Sequence, residues 1–292
     1  MDKRIVFVNK YGGYFGGVER YIRDAAMGLR DAGWQVFGLF EHRTNKQADF
    51  DVPFETCWYL EDDSKSLNKI KDVHIPTAFI HKFDNLTILE KIAAQFMSVR
   101  MVHDHDLYCL RGHKYFPIGR INCHREYSWF CALCSGMVKK NGNGRFHFVS
   151  LSKKKKEFEL NRKMDTLVTA SEFMKRNLVQ NGFPSSKIQV IYPDYRFSAK
   201  PQLSEGLNIP VQLLFVGQLI SGKGVVLLLR ALENVGCKFH LDIVGTGNAV
   251  TQIQHLIQSL GLSRNTTLHG WVDPLELDEF YRRCDIVLVP SR

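Results

Sequence analysis

Lys223 stands in a glycine-punctuated loop, where a lysine can neutralise a bound phosphate. The loop, residues 217–224, follows the apolar run at 213–216 and precedes an almost wholly apolar stretch. This order predicts a buried strand, a loop and a helix. Free backbone N–H groups at a helix N-terminus attract anions, and Lys223 adds a positive charge beside them. Because many α/β domains contain such turns, the loop alone leaves phosphate binding and a purely structural role open.

Gly16 and Gly17 end a second glycine-rich turn, GGYFGG, between a predicted strand and a predicted helix. Glycines at this point let the backbone approach a ligand closely. The turn lacks the G-x-G-x-x-G spacing of a dinucleotide-binding site, and no acidic residue follows clearly at the expected distance. The pattern therefore argues against a nicotinamide-dependent dehydrogenase.

His103 ends the predicted strand RMVH and is followed by Asp104, His105 and Asp106. A histidine at the carboxyl end of a parallel strand can contact a substrate hydroxyl or take part in proton transfer. The His-Asp-His-Asp run is equally compatible with a metal site or a polar loop. His81 ends the preceding predicted strand; it is a lesser candidate for the same role, and we expect it to be structural.

Four of the seven cysteines fall within residues 104–144, and the last two form a C-x2-C pair: Cys109, Cys123, Cys131 and Cys134. Four thiolates can close a tetrahedral zinc site. Such a site would pin this loop and would be structural. The wide first gap is not a standard zinc-finger spacing, so simple burial of some of these cysteines is the alternative.

The elements that must position these residues alternate between strand and helix patterns. Strands are predicted at residues 5–9, 34–40, 78–81, 100–103, 166–169, 188–191, 213–216, 240–244, 267–269 and 286–289. This alternation predicts an α/β protein with two Rossmann-like parallel-sheet domains. We expect an N-terminal domain over residues 1–194, a polar linker over 195–210 and a C-terminal domain over 211–292. The last strand is predicted to be buried, and because nothing follows to cover it, we expect the second domain to be incomplete.

Composition limits the possible partners and location. The 292 residues carry a net charge of +9 and 45% hydrophobic residues, without a transmembrane-length apolar run or a signal peptide. A cytoplasmic location is the default expectation. The basic run at residues 153–156 predicts either a solvated helix face or a surface that contacts anionic lipid, peripherally at the inner face of the membrane. Nucleic-acid binding is not expected, because no binding module accompanies the charge.

Seven segments, in order, resemble those of the retaining family-4 glycosyltransferases. They are GGVERYIRDAAMGLRDAGWQV, MVHDHDLYC, TASEFMKRNLVQNGFPSSKIQVIYP, FVGQLISGKGVVLLLRAL, LDIVGTG, LHGWV and FYRRCDIVLVPS. The resemblance implies the GT-B fold, in which two Rossmann-like domains face each other across a cleft. It also implies transfer of a sugar from a nucleotide-sugar donor to an acceptor hydroxyl with retention, and no cofactor or divalent metal for catalysis. A glycan or lipid-linked acceptor in cell-envelope polysaccharide or glycolipid synthesis is the expected partner.

The resemblance further implies roles for single residues. His103 matches the catalytic histidine that contacts the transferred sugar, and Lys223 matches the lysine that neutralises the donor phosphates. Gly17 matches the loop that closes over the donor diphosphate. The complete set of implied donor-binding residues is Gly16, Gly17, Gly217, Gln218, Lys223, Gly245, Gly247, His269 and Gly270.

Two departures from the family pattern weigh against turnover. Gln218 stands where the family has an arginine, so the charge and the bidentate fork are missing. The Glu-x7-Glu element of the family is expected just beyond Pro290 and Ser291, which suggests a truncated chain. The alternative is therefore a catalytically inactive GT-B fragment or nucleotide-sugar-binding protein, and a weaker one is a sugar-nucleotide epimerase.

Overall fold

The computed structural model describes residues 3–45, 49–62, 70, 73–116, 121–136, 138–140, 146–193, 206 and 209–291. The chain forms two compact units, Met1–Tyr195 and Arg196–Arg292. Most of the predicted linker, residues 195–210, lies outside the described residues. None of the described helices is both long and apolar enough to cross a membrane.

The first unit is built on a seven-stranded parallel sheet with the strand order β3-β2-β1-β4-β5-β8-β9. These strands are β1 (Arg4–Gly12), β2 (Gln35–Arg43), β3 (Thr56–Tyr59), β4 (Thr77–Ile80), β5 (Met97–Val102), β8 (Thr166–Thr169) and β9 (Ile188–Val190). A separate antiparallel hairpin is formed by β6 (Val138–Lys140) and β7 (Phe146–Phe148). The helices are α1 (Gly17–Asp31), α2 (Leu86–Gln95), α3 (Leu151–Lys163) and α4 (Glu172–Gln180).

Alternate residues of β1 enter two different hydrophobic clusters, which indicates that both faces of this sheet are covered. Val6 and Val8 join a cluster with residues of α2, whereas Ile5 and Phe7 join one with residues of α1. On α1, Ile22 and Ala26 are fully buried in the second of these clusters.

The second unit is built on a four-stranded parallel sheet in the order β12-β11-β10-β13. The strands are β10 (Val211–Val216), β11 (Phe239–Val244), β12 (Thr266–Gly270) and β13 (Ile286–Val287), and the helices are α5 (Val225–Leu232), α6 (Val250–Ser259) and α7 (Pro274–Arg283). Side chains of β10, β11, α5 and α6 share one core cluster that includes Leu213, Leu229, Ile243 and Ile253.

The ten predicted strands are confirmed, and two details differ. β3, β6 and β7 were not predicted, because strands of three or four residues carry little periodicity. The buried character predicted for the last strand is wrong: Ile286 is 41% exposed and Val287 is 44% exposed. β13 is an edge strand that pairs only with β10 among the described strands, so its side chains are less covered than those of a central strand.

Candidate functional site

The carboxyl ends of β1, β4 and β5 bring one group of predicted residues to the same edge of the first sheet. The Gly16–Gly17 turn follows β1, His81 follows β4 and His103 follows β5. β1 lies between β2 and β4. From β1 the chain adds β2 and β3 on one side of the sheet and then adds β4 and β5 on the other side. Such a switch in strand order leaves a crevice, where open α/β sheets bind ligands.

Buried polar side chains hold the Gly16–Gly17 turn in place. The Glu19 carboxylate accepts hydrogen bonds from the Gly16 backbone N–H (2.8 Å) and from the Asn9 amide (3.1 Å). Asn9 in turn accepts a hydrogen bond from the Lys82 backbone N–H at 3.1 Å. The turn is therefore fixed to the ends of β1 and β4, while Gly17 is exposed with open space at its Cβ position.

The sequence interpretation missed Asn9 and Glu19 as site residues. A signal for Glu19 was present, because an acidic side chain at the third helical position commonly caps the helix start, as it does here for α1. Asn9 had no comparable signal. A polar residue that is fully buried at the end of an apolar strand is recognised only once its partners are known.

His103 is paired with His81. Nε2 of His103 lies 2.9 Å from Nδ1 of His81, which is completely buried at the end of β4. His103 itself is only half-buried. The ring of His81 thus contacts the predicted catalytic histidine directly, and the structural role expected for His81 stays a prediction.

Both histidines of this pair are neutral near pH 7. Burial, reinforced by the positive charges of Arg100 and Lys82, lowers the pKa of His103 to about 3. Burial also lowers the pKa of His81 well below its usual value. His103 can therefore donate or accept a hydrogen bond at neutral pH, but it does not supply a positive charge.

The remaining residues of the His-Asp-His-Asp run are occupied by partners within the first unit. Lys82 forms ion pairs with Asp104 and Asp106. Burial opposes ionisation of Asp106, but Lys82 and Arg100 outweigh it and hold its pKa at about 2. Nδ1 of His105 lies 2.5 Å from the Tyr108 hydroxyl. Among the described residues, no group of acidic, histidine or cysteine side chains is placed to hold a metal ion here or elsewhere.

The basic run at residues 153–156 lies on α3, and only part of it forms a solvated helix face. Lys154 is buried and donates to the Asp106 carbonyl and to Glu157. Lys156 pairs with Glu90 on α2 at 2.7 Å. Lys153 and Lys155 are exposed.

In the second unit, glycines lie at the carboxyl ends of three neighbouring strands. Gly217 follows β10, Gly245 follows β11 and Gly270 ends β12. The Gly217 N–H donates to the Val244 carbonyl (3.0 Å), and the Gly245 N–H donates to the Gly270 carbonyl (2.6 Å). These hydrogen bonds join the three strand ends into one surface, the glycine edge, made of residues 217–219, 245–247 and 270.

Close backbone contacts require glycine at two positions of the glycine edge, Gly245 and Gly247. A Cβ on Gly245 would lie 1.9 Å from the Gly217 carbonyl oxygen, and the φ of Gly245 is +139°. A Cβ on Gly247 would lie 2.3 Å from the Leu219 carbonyl oxygen. Both residues therefore have a packing reason to be glycine, and their predicted contact with a donor stays a prediction.

Lys223 and Gln218 are exposed on the loop that follows Gly217. Lys223 ends a 3-10 turn, Ser221–Lys223, directly before the N-terminus of α5. It makes no ion pair with the part of the chain that the structure describes. Gly224 caps α5 with a φ of +75°, a left-handed conformation that favours glycine. The predicted strand, loop and helix are confirmed, and Lys223 directly precedes Gly224, the N-cap of α5, where the first N–H groups have no partner within the helix.

His269 is engaged by charged neighbours on β11 and α7. Its Nε2 lies 2.6 Å from Asp242, and the other oxygen of the same carboxylate accepts from Arg283 at 2.9 Å. The Asp242 side chain is 10% exposed. This network ties α7 to the sheet, so His269 has a structural function that the sequence pattern did not reveal. Its role in donor binding stays a prediction.

The four clustered cysteines line one cavity together with Tyr108, Arg111 and Tyr127. Burial raises the pKa of Cys134; Arg111 opposes this shift, and the three neighbouring thiols add to it. As the four cysteines lie, no three of them could hold an ion. The zinc site therefore stays a prediction.

Comparison with known proteins identifies the family. The chain matches the model described as Glycosyltransferase Family 4 over residues 15–193 and the one described as Glycosyl transferases group 1 over residues 201–292. An uncharacterized glycosyltransferase of Methanocaldococcus jannaschii is 27% identical over 140 residues, which are 43% of this chain and 36% of the relative. The amylovoran biosynthesis glycosyltransferase AmsK of Erwinia amylovora is 28% identical over 134 residues, 44% of this chain and 32% of AmsK. The matched stretches thus span about a third of these relatives.

Among solved structures, Anabaena HepE in complex with UDP and glucose is similar with a TM-score of 0.68 and 14% identity, over 99% of this chain and 74% of HepE. At this identity the likeness establishes the fold alone. It agrees with two α/β units that each contain a parallel, Rossmann-like sheet. Because the family-4 model matches more than half of the residues, the chain belongs to glycosyltransferase family 4, and its fold is GT-B.

Proposed function

We propose that the protein transfers a sugar from a nucleotide-sugar donor to an acceptor hydroxyl with retention of anomeric configuration. The observation that carries the proposal is the glycine edge with Lys223 and the N-terminus of α5 beside it. Backbone N–H groups and a neighbouring cation together suit a diphosphate. The complex of the similar HepE contains UDP and glucose, which supports the donor class.

The chemistry that these groups can supply is stabilisation of the leaving group. When the sugar departs, negative charge builds on the nucleoside diphosphate. Lys223 and the N–H groups at the start of α5 would stabilise that negative charge. Catalysis then requires no divalent metal. His103, neutral and half-buried, is proposed to contact the transferred sugar by a hydrogen bond rather than by an ionic interaction.

We assign the acceptor to the first unit. An open groove beside the ends of β2 and β3 and the starts of α2 and α3 is lined by polar side chains of both signs, among them Glu41, Glu61, Asp84, Asn85 and Lys153. Such a surface suits the hydroxyl groups of a glycan. The name of AmsK, an amylovoran biosynthesis glycosyltransferase, supports an acceptor in cell-envelope polysaccharide or glycolipid synthesis. Exposed Lys153 and Lys155 are the residues proposed to contact an anionic membrane at its inner, cytoplasmic face.

Gln218 favours a second candidate, a nucleotide-sugar-binding protein without turnover. It is exposed beside the proposed phosphate site and carries no charge. A site with Lys223 as the sole cation of this loop can bind a diphosphate and still stabilise its departure poorly. Product analysis separates the two candidates: an acceptor-dependent glycoside with the donor's anomeric configuration supports transfer, whereas binding without product supports the second candidate.

The test of the donor site is calorimetric titration of the protein with nucleoside diphosphates and their sugars. We expect Lys223→Ala to weaken binding roughly 10- to 100-fold, since one charge-assisted contact is lost. Lys238→Ala is the matched control. Lys238 is an exposed lysine of the same unit that precedes β11, so it lies at the opposite end of this strand from the glycine edge. Equal binding by wild type and Lys223→Ala would contradict the assignment of Lys223.

We also propose that the four clustered cysteines bind a structural zinc ion, which would require their side chains to turn toward one point. Elemental analysis of the purified protein is expected to give one zinc per chain, lost in Cys131→Ser/Cys134→Ser. Cys237→Ser, an exposed cysteine of the second unit, is the control. A metal-free wild-type protein would establish the alternative, ordinary buried cysteines.

A further inference from the structure

His81 is a completely buried polar residue whose ring is held by its surroundings. Its backbone N–H donates to the Val8 carbonyl at 2.8 Å, which fixes the end of β4 against β1. The ring lies nearly parallel to that of Phe7, with centroids 5.8 Å apart, and it also contacts the rings of Phe79 and Tyr21. Close-packed aromatic neighbours on several sides leave the imidazole little freedom to turn.

The contact between His81 and His103 is a hydrogen bond near the ring planes. Nδ1 of His81 and Nε2 of His103 are 2.9 Å apart, the centroids are 5.2 Å apart, and the rings are inclined by 26°. Two nitrogens at this distance with the ring centres well separated describe an edge-to-edge contact rather than face-to-face stacking. Because both rings are neutral, one nitrogen must donate and the other must accept.

The unpaired nitrogen of His81 decides which ring donates. Nε2 of His81 is buried and has no hydrogen-bond partner among the described residues. If His103 donated, His81 would carry its proton on Nε2, and a buried N–H would be left without an acceptor. If His81 donates from Nδ1, only a lone pair is left unpaired. Orphaned buried N–H groups are the rarer case in proteins, so the second arrangement is favoured.

We propose that His81 is a positioning residue that donates from Nδ1 to Nε2 of His103 and thereby sets the tautomer of His103. His103 then carries its proton on Nδ1, on the side of the ring away from His81. The buried ring fixes this orientation, and His103, the member of the pair that reaches the surface, presents an N–H donor. A donor of this kind suits a hydroxyl oxygen of a sugar. This last step rests on the proposed function, whereas the tautomer itself does not.

The direct test is the tautomer of His103 in the wild-type protein. Long-range proton–nitrogen correlation spectra of protein labelled with 15N-histidine distinguish Nδ1–H from Nε2–H imidazoles, and the variants His81→Asn and His103→Asn assign the two residues among the eleven histidines. We expect Nδ1–H for both His81 and His103 at pH 7. An Nε2–H tautomer of His103 in wild type would overturn the proposal.

Variants of His81 test whether this residue sets the tautomer of His103. In His81→Leu, which removes the donor, we expect His103 to change to the Nε2–H tautomer. Asparagine places its amide nitrogen the same number of bonds from the backbone as Nδ1 of histidine, so we expect His81→Asn to preserve the Nδ1–H tautomer. Glutamine places its amide one bond further, and His81→Gln is the matched control that should not preserve it. An unchanged His103 tautomer in folded His81→Leu would contradict the proposal.

Turnover gives a second measurement that a purely structural role would not reproduce. We expect His81→Leu to lower kcat about 10-fold with little change in the donor KM, and His81→Asn to restore most of that loss. Equal losses in His81→Leu and His81→Asn, with both folded, would contradict the positioning role. If the wild type transfers no sugar from any donor, the proposed function fails while the tautomer measurement still decides the role of His81.

Discussion

The carboxyl edges of the two sheets differ in the groups that form them: side chains in the first unit and backbone in the second. In the first unit, the carboxyl edge of the sheet carries buried side chains that bind one another, such as Glu19 with Asn9 and His81 with His103. In the second unit, the corresponding edge is formed by backbone, with Gly245 and Gly247 in contact with carbonyl groups of the neighbouring loop. A backbone surface suits the phosphate groups that all nucleotides share, whereas oriented side chains suit the hydroxyl groups that distinguish one sugar from another.

The largest effect should come from filling the backbone contact of the second unit. Gly245→Ala would place a Cβ 1.9 Å from the Gly217 carbonyl oxygen, so the loops must separate. We expect a loss of at least about 3 kcal/mol in the free energy of unfolding and a loss of nucleotide binding. Denaturant unfolding measures it, with Gly236→Ala as the control because an added Cβ there meets open space. Unchanged stability would show that backbone contacts do not define this edge.

A smaller effect, confined to turnover, is expected in the first unit. His103→Ala removes the proposed contact with the sugar but leaves the glycine edge intact. We expect kcat to fall about 100-fold while the affinity for the nucleoside diphosphate stays unchanged. His255→Ala, an exposed histidine on α6, serves as the control. An equal loss of nucleotide affinity would contradict the proposal that the first unit contacts the sugar while the second unit binds the nucleotide.

The smallest effect is a dependence of stability on pH that arises in the first unit. The pKa of His103 is about 3 when folded, against about 6.5 in an unfolded chain, so the unfolded state binds more protons between these values. The contribution of this histidine to the free energy of unfolding is therefore fully present above pH 6.5. It decreases as the pH falls toward 3, by up to about 1.4 kcal/mol per pH unit for each such histidine.

Urea unfolding of wild type and His103→Gln between pH 7.5 and pH 5, followed by tryptophan fluorescence, measures this dependence; three of the four tryptophans, Trp34, Trp58 and Trp129, lie in the first unit. The glutamine side chain cannot ionise, so the variant should depend less steeply on pH. An identical slope in both proteins would show that His103 is not held neutral by the fold.

The fold was predictable because its strands are apolar, periodic and separated by glycine turns. The loop with Lys223 and the turn with Gly17 were found in the same way, since their residue types are rare outside turns. The pairing of His81 with His103 was not predictable, because it joins the ends of two strands through their neighbouring positions in the sheet. The engagement of His269 by Asp242 and Arg283 likewise depends on register between β11 and β12.

The contacts of Gly245 and Gly247 also bear on how this loop can be altered in evolution or by engineering. Each glycine is matched to a carbonyl group of residues 217–219, so neither can change alone without a compensating change in the facing segment. Gln218 lies between those two carbonyl groups, yet it is exposed and free of such a constraint. If the proposed donor site is right, donor preference can therefore change most readily at Gln218, while the backbone of the glycine edge stays the same.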